Sequence, residues 1–78
     1  MSVTVLYFAS LRDTAGVDSE TLDTPRSLIA LYESLHARHG FSLPIDRVRV
    51  AIDGAFSDWQ APVADGAEIA FIPPVSGG

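Results

Sequence analysis

Residues 67–78 read AEIAFIPPVSGG, and this stretch decides the fold of the chain. Its first half, residues 67–72, is a short apolar segment of the kind that forms a buried strand. Pro73 and Pro74 end that strand, because proline has no N–H group to donate to a neighbouring strand. Two consecutive prolines also hold the chain that follows in an extended conformation. The stretch therefore predicts a last strand that directs an extended segment away from the body of the protein.

That extended segment, called the tail here, is residues 73–78 and ends in Gly77-Gly78. Glycine adds no side-chain packing and its backbone is costly to order, so a diglycine contributes little to a fold. At about 3.3 Å per residue, the tail reaches roughly 20 Å, enough to enter a narrow channel in a partner. We therefore predict a folded domain over residues 1–72 and an extended, flexible tail over residues 73–78. The Gly78 carboxylate is the candidate reactive group.

Upstream of the tail, strand patterns surround one helical pattern. The helix is expected to open at Thr24-Pro25, which suit a cap and a first helical position, and to close at Gly40. Residues 9–16 are expected to be a connector with no more than a short helical turn. The strand patterns are found at residues 3–8, 17–22, 47–52, 55–57 and 67–72. This order predicts an α+β domain, with a mixed sheet of about five strands and one main helix packed across one face.

The alternation of side chains along the strands predicts an apolar patch on the side of the sheet that points away from the helix, called the outer face here. Three bulky apolar residues are expected there: Phe8, Phe56 and Ile72. Such a patch is typical of a partner-binding site. Arg12, Arg47 and Arg49 at its rim are expected to orient the domain on an acidic partner. The alternative is that residues 57–66, which include Trp59, fold over this face.

Composition narrows the classes of function. The 78 residues carry a formal net charge of −5 and contain five arginines, no lysine and no cysteine. A disulfide framework, a thiolate zinc site and a cysteine nucleophile are thereby excluded. The negative charge argues against nucleic-acid binding, which depends on a cationic surface. No apolar run approaches the roughly 20 residues of a membrane span, so we expect no membrane association and a cytoplasmic location.

The chain presents no catalytic constellation of its own. His36 and His39 supply too few ligands for a metal site, and neither a nucleophile elbow nor a phosphate-binding glycine loop is present. The acidic stretch is expected to be a solvated face, and it consists of Asp13, Asp18, Glu20 and Asp23. We expect no catalytic side chain, no bound metal and no bound cofactor. The chain is interpreted as a reagent that is presented to an enzyme.

Residues 5–9, VLYFA, followed by Arg12, resemble the opening of the small, sulfur-carrying subunit of molybdopterin synthase. Asp65-Gly66 leading into residues 68–78 resembles the end of the same subunit. The resemblance runs along the whole chain and is most specific in the tail. It implies the ubiquitin-like β-grasp fold, which agrees with the predicted order of strands.

The resemblance also implies a function and partners. In such proteins the terminal carboxylate, here that of Gly78, is adenylated by a ubiquitin-activating-type adenylyltransferase that uses ATP. A sulfur donor protein then converts it to a thiocarboxylate, whose sulfur passes to cyclic pyranopterin monophosphate in the large subunit, within a heterotetramer. The residues implied to thread into that subunit are Pro73, Pro74, Val75, Ser76 and Gly77. The residues implied to form the interface are Phe8, Arg12, Phe56 and Ile72.

Three alternatives share the diglycine ending. One is a sulfur carrier for another pathway, of the thiamin type, which has the same chemistry at Gly78 and a different acceptor. Another is a ubiquitin-like modifier that forms isopeptide bonds with lysines of target proteins. The last is a plain interaction domain, in which the tail is inert.

Overall fold

The structure, a computed structural model, describes residues 1–74, in which one mixed sheet carries two helices. The elements are β1 Ser2–Tyr7, α1 Ala9–Ala15, β2 Ser19–Asp23, α2 Leu28–His39, a 3-10 turn Ile45–Arg47, β3 Arg49–Ile52, β4 Ala55–Ser57 and β5 Glu68–Ile72. The strands lie in the order β2-β1-β5-β3-β4. β1 and β5 are parallel at the centre, and the other neighbouring pairs are antiparallel. The predicted α+β architecture is confirmed.

The core lies between the sheet and α2, because the strands alternate as predicted. In β1 the buried residues are Val3, Val5 and Tyr7, and in β5 Ile69 and Phe71 are fully buried. The helix contributes one apolar stripe that faces them: Leu28, Leu31, Tyr32 and Leu35. Each such side chain contributes roughly 1.5–3 kcal/mol when it is fully removed from water. The sheet and α2 therefore stabilise each other, and the side of the sheet away from α2 is the outer face.

The turn at Asp53-Gly54 joins β3 to β4 as the sequence predicts. Both residues have positive φ, 51° for Asp53 and 87° for Gly54, as a two-residue type I′ turn requires. The register that follows pairs Ile52 with Ala55. The Asp53 carboxylate also accepts a hydrogen bond of 2.9 Å from the Glu68 N–H, which ties the turn to the start of β5.

The predicted start of the main helix at Thr24-Pro25 is wrong, since α2 begins at Leu28. Its cap is Ser27, whose hydroxyl accepts a 3.0 Å hydrogen bond from the Ala30 N–H. The Thr24 hydroxyl instead donates to the Asp65 carboxylate, so it is not available for capping. The predicted end of the helix is confirmed: Gly40 has a left-handed φ of 73°, and its N–H bonds to the His36 carbonyl.

The segment predicted as a connector, residues 9–16, forms a complete helix of seven residues, α1. It ends at Gly16, whose left-handed conformation lets its N–H bond to the Arg12 carbonyl. Burial of Leu11 anchors α1 to the core, and this tertiary contact stabilises a helix too short to persist alone. Three predicted strands also start later than expected, at Ser19, Arg49 and Glu68. Among residues 1–74, neither helix has the length and apolar character needed to cross a membrane.

The loop over residues 57–66 packs on the helix side of the sheet, so the alternative that it covers the outer face is wrong. The Trp59 ring stacks on Phe71 with centroids 5.8 Å apart, and it meets Tyr32 edge-on at 5.7 Å. The indole N–H donates to the Val48 carbonyl, at 3.2 Å. Phe71 and Tyr32 belong to the core, and the loop therefore extends that core beyond the edge of α2.

Candidate functional site

Two neighbouring alanines, Ala51 and Ala70, form the centre of the outer face and are called the alanine strip here. The strand register places Leu6 opposite Ala70, Ala70 opposite Ala51, and Ala51 opposite Phe56. Ala51 is 8% exposed and Ala70 9%, and each has a single methyl group beside a larger side chain on the neighbouring strand, Phe56 and Leu6 respectively. The strip is consequently flat, and a partner surface can approach the sheet closely there.

Phe8 and Phe56, both predicted interface residues, stand on opposite sides of this strip. Phe8 lies one residue beyond β1 and follows buried Tyr7 in extended backbone, so it faces outward; it is 44% exposed. Phe56 lies on β4 and is 68% exposed. The strand order separates their strands by three steps, which is about 14 Å at 4.8 Å per step. The two rings therefore flank the alanine strip and are not in contact with each other.

Ile72, the third predicted apolar residue, is half-buried on β5 between these two rings. Its partner across the sheet is Arg49 on β3, and the guanidinium carbon of Arg49 lies 5.9 Å from the centroid of the Phe56 ring. That distance is within the range of a cation–π interaction. Ile72 thus belongs to the outer face, but its side chain is less exposed than the projecting rings of Phe8 and Phe56.

Arg12, which was predicted at the edge of this face, lies on α1, the helix that begins directly after Phe8. Its Nε is 3.8 Å from a carboxylate oxygen of Asp18, and both side chains are largely exposed. A long, solvated ion pair of this kind contributes little to stability. Arg12 is therefore able to exchange Asp18 for another carboxylate at low cost.

The tail leaves the sheet from the end of β5. Pro73 is buried and Pro74 is exposed, so the packed part of the chain continues one residue past Ile72. The other predicted site residues, Val75, Ser76, Gly77 and Gly78, lie outside the described residues. Since β5 is the central strand, the exit at Pro74 is at the end of the outer face, between the positions of Phe8 and Arg49.

The prediction of a solvated acidic face is wrong for Glu20, whose side chain is only 17% exposed. The register of β2 places Glu20 opposite Val5, on the helix side. There its Oε1 accepts hydrogen bonds from the Tyr7 hydroxyl, at 2.5 Å, and from His39 Nε2, at 2.8 Å. Arg38 lies 3.2 Å from the other oxygen. The available sequence signal was the position of Glu20 two residues before Leu22, on the apolar side of the strand.

This cluster changes the acidity of its members. The hydrogen bond from Tyr7 is the main reason why the pKa of Glu20 is lowered, and His39 and Arg38 add to the effect against the opposing influence of burial. The pKa of the Tyr7 hydroxyl is raised well above its usual value, chiefly by burial and further by Glu20. The cluster joins β1, β2 and the end of α2 on the helix side of the sheet, and its role is structural. Within the described part of the chain, no group of three or more histidine, cysteine or acidic residues is arranged to hold a metal ion.

The sheet order and the helix that crosses one face define the chain as a ubiquitin-like β-grasp protein. It is similar to the crystal structure of SAMP1 from Haloferax volcanii, with a TM-score of 0.80, 26% identity and coverage of 100% of both chains. It is also similar to the putative molybdopterin converting factor, subunit 1, from Pyrococcus furiosus, with a TM-score of 0.80 and 31% identity. That alignment covers 96% of this chain and 99% of the other. The fold expected from the sequence is confirmed.

The chain belongs to the ThiS family, whose sequence model matches residues 5–78. It is 36% identical to a molybdopterin synthase sulfur carrier subunit from Mycosarcoma maydis, over 99% of this chain and 94% of the relative. The resemblance that the opening strand and the tail predicted is thereby confirmed along nearly the whole chain.

Proposed function

We propose that the chain is the sulfur carrier of molybdopterin synthase and that the carboxylate of Gly78 carries the sulfur. The observation that carries this proposal is the match to a sulfur carrier subunit of that enzyme over 99% of the chain. The diglycine at residues 77–78 and the exit of β5 beside an apolar face support it. The chain acts as a sulfur-donating subunit, while the catalytic groups belong to its partner.

Activation of Gly78 comes first, because a carboxylate is a poor electrophile. One of its oxygens attacks the α-phosphorus of ATP, which is bound by a ubiquitin-activating-type adenylyltransferase, and pyrophosphate leaves. Hydrosulfide released by a donor protein then attacks the acyl carbon, AMP leaves with the oxygen that bonded to phosphorus, and the S–H proton is lost to solvent. The product is a thiocarboxylate, whose sulfur is a softer and stronger nucleophile than a carboxylate oxygen.

Delivery of the sulfur depends on the tail. Residues 73–78 enter the large subunit, where the thiocarboxylate sulfur bonds to a carbon of cyclic pyranopterin monophosphate and an oxygen substituent leaves that carbon together with a proton. Attack of water on the acyl carbon then breaks its bond to sulfur, so that the sulfur stays on the acceptor and Gly78 returns to a carboxylate. Holding the nucleophile on a short tether raises its effective concentration at the acceptor.

The outer face is the surface that docks on the large subunit. Phe8 and Phe56 project from it on either side of the alanine strip, and their exposed rings suit two apolar pockets in a partner. The flat strip lets the partner reach Ile72 and the tail exit. With two carriers on a pair of large subunits, the assembly is a heterotetramer.

The test is intact-mass spectrometry of the protein purified from its native host. The expected result is a form heavier by the mass difference between sulfur and oxygen, with the change assigned to Gly78 by fragmentation. Treatment with an alkylating reagent selective for thiocarboxylates is expected to shift only that form. A protein that carries no sulfur under conditions of active cofactor synthesis would contradict the proposal.

A second candidate function is that of a ubiquitin-like protein modifier. It is favoured by the similarity to SAMP1, which stands for small archaeal modifier protein 1. It shares the adenylation step and differs in the acceptor, a lysine of a target protein. High-mass conjugates that vanish when Gly78 is removed would support this function. The thiamin-type carrier is favoured by the ThiS family match, and copurification with a thiazole synthase would distinguish it.

A further inference from the structure

Only some of the arginines of this acidic chain are paired with carboxylates. Two of the five arginines are paired with carboxylates: Arg12 with Asp18 and Arg38 with Glu20. Arg47 and Arg49 form no ion pair with any carboxylate of residues 1–74. Both are exposed. Two guanidinium groups are thus available together on a chain whose formal net charge is −5.

These two arginines flank the exit of the tail. They line one cavity of about 210 Å³ together with Asp46, Val48 and Pro74. Arg49 is level with Ile72, the last residue of β5, so its backbone lies one strand spacing, about 4.8 Å, from the strand that becomes the tail. The cavity has room for a carboxylate side chain and several waters, since a water occupies about 30 Å³ in the liquid. Its lining has one acidic and two basic groups and is therefore net positive.

Arg49 is also positioned in advance. Its guanidinium carbon lies 5.9 Å from the centroid of the exposed Phe56 ring, so the charge is held above the outer face. Such a contact reduces the freedom that the side chain would lose on binding, and guanidinium groups bind carboxylates in a planar, two-point geometry. The apolar surface of Phe56 and the charge of Arg49 therefore form one continuous feature.

We propose that Arg47 and Arg49 form a docking element that binds carboxylate side chains of the large synthase subunit at the mouth of the channel that receives the tail. The proposal rests on the proposed function and adds the chemistry of the partner surface to it. A protein that takes in the tail must come up against Pro74, and the lining of the cavity beside Pro74 then faces that protein.

Charge complementarity gives this element its value. An acidic partner surface is repelled by a domain of net charge −5 in most orientations, and it is attracted where Arg47 and Arg49 lie together. Attraction in one place and repulsion elsewhere favour a single orientation, which is how charged rims specify register in protein complexes. The orientation selected is the one in which the tail points at the channel.

The experiment compares charge-reversed variants in binding to the purified large subunit by calorimetry. The double variant Arg47→Glu/Arg49→Glu is expected to bind at least about tenfold more weakly. The matched control is the single variant Arg26→Glu, which is compared with the single variants Arg47→Glu and Arg49→Glu because each changes the net charge by the same amount. A double control with Arg12→Glu is not used, because Arg12 is itself a predicted interface residue. Arg26 is exposed between β2 and α2, away from this cavity, and its reversal is expected to change affinity less than about threefold. Arg47→Lys/Arg49→Lys keeps the charge but loses the planar two-point geometry, so its affinity is expected to lie between those of the native protein and the charge-reversed double variant. Thermal unfolding checks that all variants fold.

The outcomes separate this proposal from the proposed function. Loss of affinity in the double reversal, together with a weaker salt dependence of binding than in the native protein, supports the docking element. Equal losses for Arg26→Glu and Arg49→Glu would overturn it, since the effect would then follow net charge alone. Full affinity of the double reversal for the large subunit would also overturn it, because the two arginines would then contribute nothing to docking on that partner. Failure of the native protein to bind the large subunit would instead contradict the proposed function.

Discussion

Glu20 illustrates how one residue acquires a role that composition does not reveal. A glutamate in an acidic stretch is usually solvated, but here the register of β2 turns it toward α2, where Tyr7, Arg38 and His39 converge on its two oxygens. A charged group held by several donors stabilises the fold as long as it remains ionised. Glu20 therefore links the edge strand β2 to the end of the main helix.

The first prediction concerns Glu20→Gln, which removes the charge and keeps the shape. The free energy of unfolding at neutral pH is expected to fall by about 1–2 kcal/mol. Because the pKa of Glu20 is lowered in the folded state, its contribution is present above the ordinary glutamate value of 4.5 and is lost as pH falls through the folded pKa. The difference between native protein and variant should thus shrink in acid. Urea unfolding at several pH values measures it.

The matched control for this variant is Glu33→Gln, the same chemical change at an exposed position of α2. It is expected to alter stability by less than about 0.5 kcal/mol at every pH. A Glu20→Gln protein as stable as the Glu33→Gln protein would mean that the cluster contributes nothing.

Phe56 is the residue at which binding and stability separate most clearly. It is 68% exposed, so Phe56→Asp removes little packing from the domain, whereas it places a charge at one of the two projecting apolar side chains of the proposed interface. Affinity for the large subunit is expected to fall by more than about tenfold, with a small change in the unfolding midpoint. Calorimetry measures the affinity, and Ala64→Asp, an exposed position on the helix-side loop, is the control. Unchanged affinity would contradict the assignment of the outer face.

At the scale of elements, the structure separates what local sequence determines from what packing determines. Asp53-Gly54 was predictable, because a two-residue turn with positive φ depends almost entirely on the two residues in it. The helix start was not, because Thr24 and Ser27 are both good caps and the choice is made by Asp65, which lies 41 residues from Thr24 in the chain. Contacts that distant leave no local pattern.

The same distinction explains the remaining differences. The seven residues of α1 are stabilised by burial of Leu11, a tertiary contact, and so the sequence pattern alone indicated only a turn. Trp59 packs on Tyr32 and Phe71 instead of the outer face, and an isolated tryptophan in a loop does not reveal which layer it joins. For the candidate site, alternation along the strands located Phe8, Phe56 and Ile72 on one face. The alanine strip between the two rings required the strand order as well.

The element-scale prediction concerns the cap of α2. Ser27→Ala removes the hydroxyl that accepts from the Ala30 N–H and is expected to lower stability by about 1 kcal/mol. Ser34→Ala, at an exposed position inside the helix, makes the same change without a cap and is expected to be neutral or slightly stabilising. Denaturant unfolding compares the two. Equal stabilities of the two variants would contradict the assignment of Ser27 as the cap.

For the whole molecule, the described structure divides the tasks between two sides of one sheet. The helix side carries the core, the Glu20 cluster and the loop with Trp59, and it accounts for stability. The outer face carries the exposed rings, the alanine strip and the tail exit, and it contributes little to the core. Changes on the outer face are therefore expected to affect partner binding with little effect on folding, as proposed for Phe56, Arg47 and Arg49.

The central claim is that sulfur travels on the carboxylate of Gly78, and the most direct test blocks that carboxylate alone. The protein is prepared by semisynthesis with either a thiocarboxylate or an amide at Gly78, and each form is incubated with the large subunit and cyclic pyranopterin monophosphate. We predict that the thiocarboxylate form gives molybdopterin in proportion to the carrier consumed, and that the amide form binds the large subunit but gives no product. Molybdopterin formation from the amide form, with a sulfur source present, would contradict the account.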